Sequence, residues 1–200
     1  MDLKIRAAEI GDARRLAELM DFAGEGIPMY LWRESAGPEG DPLEFGARTV
    51  SGTDGGFSYV NAHVAEIGDE VVGMLLGYRL PDPHDVEPLS EAPVVVRPLL
   101  ELEALAPGSW YVNAVAADPA WRGRGVGSAL MQRAEDVAAG SGAEVLSLIV
   151  AEENRGARRL YERLGYADVA RRPLLPWPGC RHSGHWVLMT KPVPGSAGPV

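Results

Sequence analysis

The stretch WRGRGVGSAL, residues 121–130, limits the folds open to this chain more than any other. It sets arginines at 122 and 124 among glycines at 123, 125 and 127, then turns apolar. Ahead of it, SWYVNAVAAD (109–118) reads as a strand that Pro119 ends. Behind it, Val126, Ala129, Leu130, Ala134, Val137 and Ala138 fall on one face of a helix, with Gly140 near its end. The first N–H groups of such a helix lack internal partners and carry the positive end of its dipole. Glycine removes the Cβ that would hold a visitor off the main chain, and guanidinium groups add forked donors. A phosphate or pyrophosphate fits that turn. A tight turn needing glycine for geometry alone is the competing explanation.

Spacing rejects two familiar phosphate sites. A nucleotide P-loop needs a lysine before the hydroxyl residue at the helix start, and here Ser128 follows Gly127. A dinucleotide G-x-G-x-x-G beginning at Gly123 and Gly125 needs glycine where Ser128 stands.

Any anion must be met locally, because the 200 residues carry a formal charge of −9, which speaks against nucleic acid or a membrane surface as partner. Hydrophobic residues at 46% and charged residues at 24% are ordinary for a globular chain with a full core. No apolar run reaches the roughly 18 residues of a membrane span. The N-terminal MDLKIRAAEI has charges where a signal peptide is apolar, and Cys180 has no second cysteine to pair with. A cytoplasmic protein is the expectation.

The remaining elements follow from periodicity. LKIRAA (3–8) reads as a strand, and Asp12 as the cap of a helix buried through Ala13, Leu16, Ala17, Leu19 and Met20. GEGIPMYLW (24–32) leads into an aromatic helical turn, and another helix follows Asp41-Pro42. Residues 57–78 read as a hairpin joined at Gly68-Asp69. Residues 81–108, with six prolines, read as an insertion lying over a site, with room for one helical turn at 98–105. AEVLSLIV (143–150) is a central strand, ENRGARRLYERLGY (153–166) a helix stopped at Gly165, and two strands follow near 166–172 and 185–191. One domain over 1–192 with a disordered tail over 193–200 is expected.

The turn Arg122-Gly123-Arg124-Gly125-Val126-Gly127 closely resembles the R/Q-x-x-G-x-G/A motif of the Gcn5-related N-acetyltransferases (GNAT). NRGARRLYERLGY resembles that family's second motif, with Asn154, Ala157, Tyr161 and Gly165-Tyr166 in the expected places. The order of elements over roughly 1–192 is similar too. The resemblance implies a mixed α/β acyl-CoA N-acyltransferase fold, a mostly antiparallel twisted sheet with splayed central strands and flanking helices. It implies acetyl-CoA as co-substrate, its pyrophosphate on residues 122–127 and its pantetheine paired with the main chain of Val115 and Ala117. It further implies an oxyanion donor near Ala114 or Val115, a cofactor contact at Asn154, and Tyr161 as the acid that protonates the leaving thiolate. A buried aromatic for Tyr161 and a helix cap for Asn154 are the plainer readings.

Other roles stay open. The general base is Glu101, Glu103 or a water relay, while Asp118 reads as part of a turn. One of Arg155, Arg158 and Arg159 is a candidate for the cofactor's 3′-phosphate. The resemblance puts Tyr30 and Trp32 on one side of an acceptor pocket and Trp177, His182 and His185 on the other, with Trp186 read as core. Cys180, His182 and His185 lack a fourth zinc ligand, so no metal is expected. The acceptor is a small-molecule or peptide amine, and the oligomeric state stays open, a homodimer included. A catalytically silent acyl-CoA sensor is the alternative function.

Overall fold

The computed structural model describes residues 2–86 and 88–195. Strands β1 (Leu3–Ala7), β2 (Ala62–Ile67), β3 (Glu70–Arg79), β4 (Trp110–Ala117), β5 (Val145–Ala151), β6 (Ala167–Pro173) and β7 (His185–Pro192) form one sheet in the order β1-β2-β3-β4-β5-β7-β6. The β1–β2, β2–β3, β5–β7 and β7–β6 pairs are antiparallel and β4–β5 is parallel, which is the mixed α/β class expected. Helices α1 (Ala13–Ala23), α2 (Ile27–Ala36), α3 (Pro42–Ser51), α4 (Arg97–Glu103), α5 (Val126–Ser141) and α6 (Arg155–Arg163) complete the regular structure, with short 3-10 turns between. The chain divides into two compact units, one running to Gly77 and resuming over Ala114–Ala134, the other formed by Tyr78–Asn113 and the described residues from Glu135 onward.

In the first unit α1 buries the face its periodicity predicted, Ala13, Leu16, Ala17, Leu19 and Met20. Removing side chains as large as Leu16, Leu19 and Met20 from water contributes about 1.5–3 kcal/mol each. Asp12 does not cap α1 through its side chain. Its carboxylate instead accepts from the Glu9 N–H at 2.8 Å and pairs with Arg6, which is a better partner than a helix N–H. Asp41 does cap α3, accepting from Leu43 and Glu44. Trp32 packs into the same core against Gly46, where a Cβ would meet its ring at 2.5 Å.

In the second unit the β4–β5 register is Trp110↔Leu146, Tyr111↔Ser147 and Val112↔Leu148. A buried Ser109–Ser147 hydroxyl pair at 2.6 Å sits beside its start. Segment 81–108 is more ordered than an insertion loop: Pro98 lies in the first turn of α4, Leu102 is fully buried, and α4 packs on β5, β6 and β7. Helix α5 ends at Ser141, with Gly140 near its end as expected, and Gly142 (φ +73°) follows in the left-handed conformation that ends helices. Val193, expected in a disordered tail, is buried and donates its N–H to the Glu144 carbonyl at 2.9 Å. Residues 196–200 of that expected tail lie outside the described residues.

Candidate active site

In the first unit β4 alternates over its last residues, Ala114 and Ala116 buried, Val115 and Ala117 half-buried. Asp118 ends the strand by accepting from the Ala120 N–H at 2.8 Å, as a turn residue should. The Arg15 guanidinium pairs with the same carboxylate and holds it below the usual range, so it is a fixed anion rather than a base. A single 3-10 turn, Pro119–Trp121, then delivers the chain to the arginine–glycine run.

Gly123 (φ +73°) and Gly125 (φ +88°) both occupy the left-handed region, and a Cβ on either would meet nothing within 4 Å. Conformation, not crowding, requires glycine here, and it leaves open space beside the main chain. Arg122, Gly123, Arg124 and Gly125 are exposed, while Val126 and Leu130 anchor α5 in the core. The Arg122 Nε donates to the Ala117 carbonyl at 3.4 Å, and the Arg124 guanidinium lies 4.9 Å from the centre of the Trp121 ring. Gly73 on β3 is a supporting residue that sequence reasoning missed. A Cβ there would meet the Ala116 carbonyl and Val126 at 2.8 Å each, so its absence lets β3 carry β4 and α5 at close range. The available signal was a glycine inside a strand pattern.

In the second unit Asn154 caps α6, its Oδ1 accepting from the Ala157 N–H at 3.1 Å. Tyr161 is 7% exposed, its ring 6.0 Å from that of Tyr166 and inclined at 60°. Both plainer readings therefore hold structurally, and neither precludes a chemical role. The three α6 arginines separate: Arg158 is committed to Asp168 at 3.0 Å and Glu162 at 3.4 Å, whereas Arg155 and Arg159 are exposed.

The two base candidates separate more sharply. Glu101 forms an ion pair with Arg172 of β6 at 2.6 Å. Glu103 is only 12% exposed and accepts a hydrogen bond from the Tyr111 hydroxyl. Its Oε2 lies 3.8 Å from His84 Nε2, an atom that is itself buried without a hydrogen-bond partner. Tyr78 completes the group, its ring set edge-on to Tyr111 at 6.0 Å and its hydroxyl accepting from Asn113 Nδ2 at 3.2 Å. Burial pushes the Glu103 carboxyl up to about 7, with the Tyr111 hydrogen bond opposing. The same burial and the nearby carboxylate push Tyr78 and Tyr111 up, so both stay protonated donors. Strand alternation placed Tyr111 and Asn113 on one face; nothing local in the sequence linked them to Tyr78, His84 or Glu103.

The aromatic expectations divide. Trp32 is core, and Tyr30 is half-exposed beside Glu34. Trp177 and Trp186 are both buried and stack at 6.3 Å with planes 7° apart. His185 faces Glu152 at 3.1 Å and His182 faces Glu153 at 3.8 Å, while the Cys180 thiol donates to the His182 carbonyl. Among the described residues no three His, Cys, Asp or Glu side chains are placed to hold a metal ion.

The sequence profile of the acetyltransferase (GNAT) family matches residues 27–166. The chain belongs to the GNAT family. Among its GNAT relatives, an uncharacterized N-acetyltransferase of Methanocaldococcus jannaschii is 39% identical over 57 residues, 28% of this chain and 25% of that protein. The mycothiol acetyltransferase of Beutenbergia cavernae is 44% identical over 71 residues, 36% of this chain and 23% of that one. The matches thus span about a quarter of these curated relatives. The crystal structure of a mosquito arylalkylamine N-acetyltransferase-like protein superposes with a TM-score of 0.69 at 16% identity, over 96% of this chain and 100% of that one. That likeness concerns the GNAT fold.

Proposed function

We propose that this protein transfers the acetyl group of acetyl-CoA directly to an amine of a small molecule or peptide. The observation that carries the reading is the exposed turn in which Gly123 and Gly125 hold left-handed backbone conformations between Arg122 and Arg124. Main-chain N–H groups at the mouth of α5 and the two guanidinium groups hold the cofactor's pyrophosphate, with Val126 and Gly127 opening the helix behind them. Val115 and Ala117 lie on the part of β4 beyond its register with β5, and their main-chain groups pair with the pantetheine arm. An N–H near Ala114 or Val115 stabilises the oxyanion of the tetrahedral intermediate. Asn154 meets the cofactor while capping α6, and Arg155 or Arg159, rather than the ion-paired Arg158, takes the 3′-phosphate.

The neutral amine attacks the acetyl carbonyl, the C–N bond forms and the C–S bond breaks. Tyr161 gives its proton to the departing thiolate as charge develops on sulfur, which a phenol can do only in concert with bond breaking. Of the two carboxylates, Glu101 is held in an ion pair with Arg172, which leaves Glu103, its carboxyl raised to about 7, as the one free to take part in handling the amine's protons. The deciding experiment measures acetyl-CoA affinity by calorimetry and thiol release with agmatine, tryptamine and an alanine-initiated hexapeptide. Binding with turnover supports the transferase. Tight binding without turnover on any amine makes the protein an acyl-CoA sensor, and no binding removes both readings.

A further inference from the structure

Segment 81–108 closes on itself before it does anything else. The Gly108 N–H donates to the Pro81 carbonyl at 3.0 Å, and the Leu80 N–H donates to the Ser109 carbonyl at 2.9 Å. The Arg97 guanidinium braces its middle by donating to the carbonyls of Ser90 and Ala92. The closed segment brings His84, near its beginning, to within 3.8 Å of Glu103 at the end of α4. Both side chains are nearly out of water, at 14% and 12% exposure. A carboxylate and an imidazole buried beside two tyrosine hydroxyls form a costly arrangement, and Nε2 of His84 still lacks a hydrogen-bond partner. Among the described residues, the strands on which α4 packs most closely hold their cations in other pairs. Of the titratable groups on β6 and β7, Arg172 is taken by Glu101, Arg171 and His185 by Glu152, Asp168 by Arg158 and Arg171, and Lys191 by Glu135. Strand β5, VLSLIVA, carries no charge. In the chain, Asn113 of this cluster directly precedes Ala114 and Val115, the residues proposed to hold the oxyanion.

We propose that His84 is the group that takes the proton from the acceptor's ammonium, and that Glu103 is the positioning residue that holds the imidazolium so formed. This rests on the acetyl-transfer reading above. In the neutral ring the proton sits on Nε2 facing the carboxylate, and Nδ1 keeps a lone pair. The ammonium gives one proton to Nδ1, and the imidazolium and Glu103 then form an ion pair whose contact shortens to hydrogen-bond length. The freed amine forms the C–N bond as the C–S bond breaks, and sulfur takes the Tyr161 proton. The second proton lost from nitrogen restores Tyr161, and the imidazolium releases its own to water.

The test uses the full chain with acetyl-CoA and the same three amines between pH 5.5 and 9.5, in wild type, His84→Gln, Glu103→Gln, the double variant and Glu101→Gln. His84→Gln is expected to lower kcat about 100-fold at pH 7. It should leave acetyl-CoA affinity unchanged and change the pH profile, so that rate follows only the fraction of free amine. The double variant should be no slower than the slower single one, and Glu101→Gln should match wild type. A readout that needs no turnover is the Glu103 carboxyl titration by carbon NMR, whose midpoint near 7 should move up in His84→Gln. A wild-type pH profile in His84→Gln, additive losses, or an unmoved Glu103 midpoint would overturn the pair. Cofactor binding without turnover in wild type would instead count against acetyl transfer, and the carboxyl titration would still decide whether the two residues act together.

Discussion

The glycine turn and the Glu103 cluster are opposites in construction. The turn is six consecutive residues, Arg122 to Gly127, exposed for most of its length and made of main-chain groups. The cluster is largely shielded from water, made of side chains, and gathers residues from Tyr78 to Asn113. In the turn, water solvates the donors until a ligand replaces it, so the cost of building it is a backbone conformation that glycine tolerates. In the cluster, the cost is desolvation, and it appears as a carboxyl group displaced to about 7. A backbone site is thus sensitive to Cβ atoms, and a buried side-chain site is sensitive to pH.

The largest effect should come from Gly125→Val. Its φ of +88° costs a branched residue about 1–2 kcal/mol, and the side chain would enter the open space beside the turn. Loss of charge-assisted N–H contacts worth about 1.5–3 kcal/mol each predicts at least ~100-fold weaker acetyl-CoA binding with the fold retained. Calorimetry and a melting curve check both halves, and unchanged affinity would remove the turn as a pyrophosphate site.

Glu103 supplies the contrasting case. Its folded pKa, about 7, lies above the ordinary carboxyl value of 4.5, so the folded state holds a proton the unfolded chain has already lost. The associated stability is present below 4.5 and is lost as pH rises through about 7, to a total of up to about 3 kcal/mol. Glu103→Gln, which cannot ionise, should therefore melt several degrees above wild type at pH 8 and close to it at pH 4. Equal melting temperatures at both pH values would break the contrast.

Tyr161→Phe should lower kcat about 10-fold and leave cofactor affinity in place, because only the proton donated to sulfur is lost. Equal turnover would return Tyr161 to a purely packing role. The smallest change is expected from Arg124→Gln, a several-fold loss of acetyl-CoA affinity that shrinks as salt is raised. Insensitivity to salt would show that its position over Trp121, 4.9 Å away, matters more than its charge.

What could be read before folding divides along the same line. Residues 122–127 announce themselves because strand end, glycine run and helix start are adjacent in the chain. The face of α1 was likewise legible, since a 3.6-residue period is local. Asp12 was misread because its best partner, Arg6, sits across a turn and outcompetes the helix N–H. Glu101 and Glu103 were indistinguishable as neighbours on one short helix, and the fold gave one to Arg172 and sealed the other beside Tyr111.

By itself, then, the sequence determined most of the elements, the glycine turn and the family, because each rests on backbone preference and on residues within a few positions of one another. Only the tertiary structure decided which carboxylate is neutralised and which is buried beside a histidine. Charge and desolvation act through space, and partners such as His84 and Glu103 or Glu101 and Arg172 become neighbours only when the chain has folded.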